Sequence, residues 1–225
     1  MGKINRKNKL LLLVLVFFSC RLIAQVQVSK EPRHHVAFEN KFVRILDVWL
    51  PPHDTSQFHI HSTPSLFLPL STANVSSQIQ GKEWTSERME TGKSWYRSFS
   101  PDSMIHRVSN IDTIPFHVAD IEMLSTYDSI NSPKIKPLTF PVLYDNERAI
   151  AYNLPANAIN QNSIKARGPM VIFLTAGTGV TFKDAASGKT KELLAGKFLY
   201  VEPGTLFSLS TTDATAANLV IFEIK

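Results

Sequence analysis

Gln57-Phe58-His59-Ile60-His61 and, further on, Pro101-Asp102-Ser103-Met104-Ile105-His106-Arg107-Val108-Ser109-Asn110 are the stretches whose reading decides the fold. In a β-strand the side chains at i and i+2 share a face. His59 and His61 therefore project side by side, with Phe58 and Ile60 on the opposite face. A third imidazole, His106, brought in from another strand would complete a three-nitrogen metal site.

Around these stretches, short extended runs alternate with turns. Phe42 to Leu50 is β-rich and ends at Pro51-Pro52. Leu66 to Leu70, Val75 to Gln80, Ser94 to Phe99, Ile105 to Val108 and Pro115 to Leu124 continue the rhythm. No stretch sustains a 3.6-residue period, so the pattern predicts a sandwich or barrel. Gly81 to Gly92 is polar apart from Trp84 and Met89 and reads as a hairpin tip or exposed loop.

Thr126 to Pro141 is polar, carries three prolines and reads as a connector. Beyond it the rhythm returns: Ile150 to Ala156 echoes Val48 to Pro52, and Met170 to Leu174 echoes Leu66 to Leu68. The expected organisation is a barrel over 31–125, a linker over 126–141 and a second barrel over 142–225. Units of this size can bury a core of their own. All seven histidines precede residue 118, so only the first unit has imidazoles with which to bind anything.

The formal net charge of +5 over 225 residues is misleading. Lys3, Arg6, Lys7, Lys9 and Arg21 account for it; the remaining chain sets its 19 acidic residues against an equal number of basic ones. The balance gives no argument for nucleic acid. The basic start precedes an unbroken apolar run from Leu10 to Phe18, the length of a signal-peptide core and far short of the ~20 residues of a membrane span. Two endings compete. Cleavage after Ala24 would release Gln25 as the mature end, giving a soluble periplasmic or secreted protein, and this is the preferred reading. Phe17-Phe18-Ser19-Cys20 instead resembles a lipobox, which would leave a lipoprotein anchored through Cys20. Cys20 is the lone cysteine, so neither disulfides nor a thiolate ligand serve the mature chain.

The motifs resemble those of the cupins, small jelly-roll β-barrels whose first motif is G(X)5HXH(X)3,4E(X)6G and whose second is G(X)5PXG(X)2H(X)3N. His59 and His61 supply HXH; Pro101, His106 and Asn110 fit the second motif, with Ser103 at its middle Gly. His53 stands at the Gly before HXH, Ser65 or Leu66 at the Glu, Thr72 or Ala73 at the Gly that follows, and Trp95 at the Gly that opens the second motif. The resemblance implies an all-β bicupin in which His59, His61 and His106 hold a divalent transition metal (Fe, Zn, Ni or Cu). Some cupins, notably the cysteine dioxygenase-like enzymes, use three His and no Glu. In the second unit, residues 163 to 167 replace HXH and Ser208 takes the place of the second-motif His. That unit is expected to be a structural partner covering the edge of the first barrel.

Among the other residues, His117 shares a face with Ala119, Ile121 and Met123 and reads as a packed histidine. His53, after Pro51-Pro52, reads as a turn residue, exposed or supporting the site from behind. His34 and His35 carry no argument. Gln57 is the polar side chain best placed to support a ligating imidazole, and Trp49, Phe67, Trp95 and Phe99 are candidate pocket walls or core. No Ser-His-Asp arrangement, phosphate loop or CXXC pair occurs.

Three functions compete. One is an exported metal-dependent dioxygenase or isomerase acting on a small molecule. The second is a non-catalytic small-ligand-binding module, and the third a structural protein of the cell envelope. The expected partners are a small-molecule ligand and, as an open possibility, a second copy of the chain, with no nucleic acid and no transmembrane span in the mature protein.

Overall fold

The computed structural model describes residues 26–127, 136–160, 163–212 and 216–225. The candidate signal peptide, its lipobox alternative and the middle of the expected linker lie outside them. The described residues are almost wholly β, and no helix among them is long and apolar enough to cross a membrane.

Ten strands build the first unit: β1 Val26–Gln27, β2 His34–Glu39, β3 Val43–Leu50, β4 His59–His61, β5 Ser65–Pro69, β6 Ala73–Ile79, β7 Trp84–Met89, β8 Trp95–Arg97, β9 Met104–Asn110 and β10 Phe116–Met123. They form two sheets, β1-β4-β9-β6-β7 and β2-β3-β10-β5-β8. Period-two alternation decides which side chains fill the space between them. Val48 and Leu50 of β3, Val75 of β6 and Phe116 and Val118 of β10 point inward and cluster.

The second unit contains β11 Val142–Asp145, β12 Ala149–Pro155, β13 Ile164–Lys165, β14 Met170–Ala176, β15 Val180–Asp184, β16 Thr190–Leu193, β17 Phe198–Val201, β18 Leu206–Ser210 and β19 Asn218–Ile224. Its sheets run β11-β12-β19-β14-β17 and β13-β18-β15-β16. These orders repeat those of the first unit strand for strand, apart from β1. Among the described residues no strand pairing joins the two sets.

One sequence expectation gains detail and another changes. Of the two readings of 81–92 the hairpin holds, with more strand than tip: β7 within it pairs with β6 over six rungs, from Ala73↔Met89 to Gln78↔Trp84. Its residues are exposed up to Met89, so neither face carries the apolar alternation by which a half-buried strand is recognised. Nor does the second unit cover an edge of the first. It packs face to face: Ile45, Leu66, Leu68, Ala119, Ile121 and Met123 form one buried cluster with Ala149, Ala151, Val171, Phe173, Val220 and Phe222. The outer faces of β3, β5 and β10 are as apolar as their inner ones, and such strands are covered on both sides.

Candidate metal centre

The site grows from a strand pairing. β4 and β9 run antiparallel with His59 directly opposite His106 and His61 opposite Met104. A cross-strand neighbour and an i+2 neighbour thus meet on one inward face. Ring centroids are 5.0 Å apart for His59–His61, 4.7 Å for His59–His106 and 4.9 Å for His61–His106. One ring nitrogen of each lies within 4.8 Å of those of the other two.

The hydrogen bonds orient two of the rings. His59 Nδ1 donates to the Gln57 carbonyl at 2.8 Å, and His106 Nδ1 lies 3.3 Å from Ser77 Oγ. Their Nε2 atoms are buried without a hydrogen-bond partner. His61 Nδ1 is likewise buried and without such a partner, 3.6 Å from Asp120 Oδ2. Buried polar atoms are normally satisfied, so this concentration of orphans marks a place built for something that accepts lone pairs. Three neutral imidazoles suit a borderline transition ion. Bonds of about 2.0–2.1 Å place tetrahedral ligands ~3.3 Å apart, which modest side-chain rotations would reach from the present spacing.

Electrostatics keeps the rings in the ligating form. Burial, reinforced by the neighbouring His34, lowers His59 to about 4. Burial together with His59, His34 and Arg97 lowers His106 to about 3, and burial drives His61 well below its ordinary value. Desolvation penalises the charged imidazolium. Asp120 moves the other way: burial first, then the charge of Glu122, raises it well above the usual carboxylate range.

The rings line a cavity of ≈ 390 Å³. Phe67, Trp95 and Phe99 form its aromatic wall, and Arg97 stands at its mouth, 5.3 Å over the Phe99 ring. Phe99 stacks on His61 at 4.9 Å and 16°. It does so from φ 52°, a conformation bulky residues avoid.

Other expectations resolve in detail. Gln57 does support His59, but through its carbonyl; its side chain is exposed. His117 is packed, with Nε2 2.5 Å from Asp47 Oδ1 and its ring 3.9 Å from that of Trp49. Trp49 lies on the outer surface, 42% exposed, away from the lining of the histidine cavity. His53 is an exposed turn residue at φ 61°, which accounts physically for the Gly of the resembled motif at that position. The motif Asn is structural: Asn110 Nδ2 donates to the carbonyls of Leu50, Pro51 and Ile114, clamping the approach to the site.

Sequence reasoning missed three residues. Asp120 is one. His34 is another: its ring meets that of His59 at 4.7 Å, and its Nδ1 lies 2.6 Å from Oε2 of the third, Glu31. Burial opposes ionisation of Glu31, but bonds from His34 and from the backbone of Gln57 and Arg33 hold it below its ordinary value. The cavity-facing alternation of β10, Phe116-Val118-Asp120, could have revealed Asp120; nothing local ties His34 to β4.

The second unit supplies an internal reference. Met123 N→Pro64 O and Leu124 N→Phe42 O recur as Ile224 N→Pro169 O and Lys225 N→Arg148 O. In that register His59, His61 and Asp120 correspond to Ile164, Ala166 and Ile221. Ile164 pairs with Phe207 as His59 pairs with His106. Phe207, rather than Ser208, therefore occupies the place of the third histidine; a slip of one residue reverses the face. All four counterparts are buried in one apolar core.

No family model matches the chain, and no curated protein matches it. Solved structures do. AerE from Microcystis aeruginosa aligns over 87% of this chain and 98% of its own, at 13% identity and TM-score 0.57. A cupin 2 conserved barrel domain protein from Leptotrichia buccalis aligns over 84% and 86% respectively, at 8% identity and TM-score 0.51. Salicylate 1,2-dioxygenase from Pseudaminobacter salicylatoxidans aligns over 93% and 80%, at 16% identity and TM-score 0.53. With these alignments added to the strand orders and the inward-facing histidines, the chain has the cupin fold.

Proposed function

We propose that the first unit binds a divalent transition metal through His59, His61 and His106 and acts on a small molecule admitted to its cavity, as a dioxygenase or an isomerase. The observation that carries this reading is the convergence of three neutral imidazoles, each with a buried ring nitrogen that lacks a hydrogen-bond partner. Salicylate 1,2-dioxygenase, a structural neighbour, is a dioxygenase with this fold and supports the reading. A bound Fe, Zn, Ni or Cu ion would polarise a substrate oxygen or, for a redox-active metal, activate O2. The chain's own residues do the rest. Gln57 and Ser77 fix the orientation of two rings, Phe67, Trp95 and Phe99 present an apolar wall that limits water, and the Glu31–His34 pair meets the site beside His59.

Metal analysis of the purified protein tests the reading. Stoichiometric metal that His61→Ala largely removes supports it. A protein that stays metal-free in excess Fe(II), Zn(II), Ni(II) and Cu(II) at neutral pH overturns it and leaves ligand binding without metal. The second unit is the scaffold of this proposal and binds no metal.

Export belongs to the same reading: Met1 to Ala24 would be removed, leaving Gln25 as the mature end. Mass spectrometry of the native protein decides it. A lipid on Cys20 would establish the anchored form, and an intact Met1 would refute both.

A further inference from the structure

We infer that Asp120 is the carboxylate of the first unit's site: it accepts a hydrogen bond from His61 Nδ1–H, so that this ring presents Nε2 inward. The inference deepens the metal-binding reading and rests on it.

Four observations carry it. Asp120 lies on β10, outside both sequence motifs, yet it lines the cavity and its Oδ2 faces His61 Nδ1 at 3.6 Å. That gap is slightly longer than a hydrogen bond; His61 Nδ1 has no other partner, and the carboxylate has only the Ser65 hydroxyl beside it. His59 and His106 already follow the same plan, each with Nδ1 against an outer partner and Nε2 free. With Asp120 as the outer partner of His61, all three rings offer Nε2. Outer partners of this kind set the tautomer and raise the basicity of a ligating imidazole.

The neighbouring acid is already committed, because Glu122 Oε2 is bound by Arg44 Nη1 at 2.8 Å. Asp120 is the carboxylate left over. Burying it with no cation or charged donor beside it destabilises the protein unless something cationic comes to meet it.

The second unit shows the alternative. There the three histidine positions are Ile164, Ala166 and Phe207, and the Asp120 position is Ile221, fully buried. The fold does not need an acid at this place; where the imidazoles are absent, the carboxylate is absent as well. The carboxylate that HXH lacks downstream, at Ser65 or Leu66, is thus supplied from a different strand.

Asp120→Asn tests the assignment, with Co(II) as the probe in chelator competition and thermal melts of the metal-free protein alongside. The expected result is Co(II) affinity 10- to 100-fold weaker, with the metal-free variant at least as heat-stable as the parent. In the Zn(II)-loaded parent, long-range proton–nitrogen NMR should show a proton on His61 Nδ1 and the metal on Nε2. Co(II) affinity within twofold of the parent overturns the inference and leaves the metal-binding reading intact. A metal-free variant that melts well below the parent assigns Asp120 a structural role and overturns it too. Metal on His61 Nδ1 does the same. A parent protein that binds no Co(II) overturns both readings.

Discussion

The two units hang different interiors on one strand plan. In the first, His59, His61, His106 and Asp120 face an open cavity; in the second, Ile164, Ala166, Phe207 and Ile221 occupy the same places and close it. The polar version holds orphaned nitrogens and a buried carboxylate, each of which costs free energy in the metal-free protein. The apolar version holds buried methyl groups and a phenyl ring. A polar interior and an apolar one are thus joined through the face between them. There Ile121 and Phe222 share a core, and the hydroxyl of Ser94 lies 2.7 Å from that of Tyr144.

If that contrast is right, the largest effect comes from opening the filled unit. Phe207→Ala should cost about 3–5 kcal/mol, the range for deleting a buried aromatic ring, while leaving metal affinity in the first unit unchanged. Denaturant unfolding and a metal titration read the two quantities, and equal damage to both would mean that the interiors are not separable.

Next in size is the response of the metal-free protein to acid. Burial holds His59 at about 4 and His106 at about 3 in the folded chain, against ~6.5 when unfolded. The unfolded chain therefore takes up protons that the folded one refuses. Stability is complete above the unfolded value and declines as pH falls below it. Asp120, raised rather than lowered, acts in the opposite sense, but it is one group against three rings. The net loss between neutral pH and pH 5 is on the order of 2–4 kcal/mol. Equilibrium unfolding at a series of pH values measures it, and a flat profile would show that the rings are not buried as the structure places them.

Filling the first cavity sharpens the comparison. The combined variant His59→Ile, His61→Ala, His106→Phe and Asp120→Ile copies the second interior. It should bind no metal, lose most of the acid slope and gain roughly 2 kcal/mol at neutral pH by removing unsatisfied polar groups. A variant less stable than the parent would mean that the flanking walls differ too much for the interiors to be exchanged.

The smallest effect concerns the turn that leads into β4. His53 holds φ 61°, a region in which a Cβ costs roughly 1–2 kcal/mol. His53→Gly relieves this but adds entropy to the unfolded chain, so a rise of a degree or two in Tm is expected. A fall would show that the imidazole contributes something beyond its backbone shape.

What the sequence determined by itself was everything set by local period. Short β-rich runs bounded by turns, along Val43–Leu50, Ser65–Pro69 and Phe116–Met123, specified strands, and the i, i+2 spacing put His59 and His61 on one face. The motif placed His106 and Asn110 in the same barrel. The tertiary structure alone decided what meets across strands. Asp120 reaches His61 from β10, His34 reaches His59 from β2, and Phe207 rather than Ser208 faces Ile164. It alone decided that a sheet face, and not an edge, receives the second unit. The reason is physical. Side-chain period is a property of one strand, whereas register and packing are settled between strands remote in sequence, where a shift of one residue exchanges the buried face for the other.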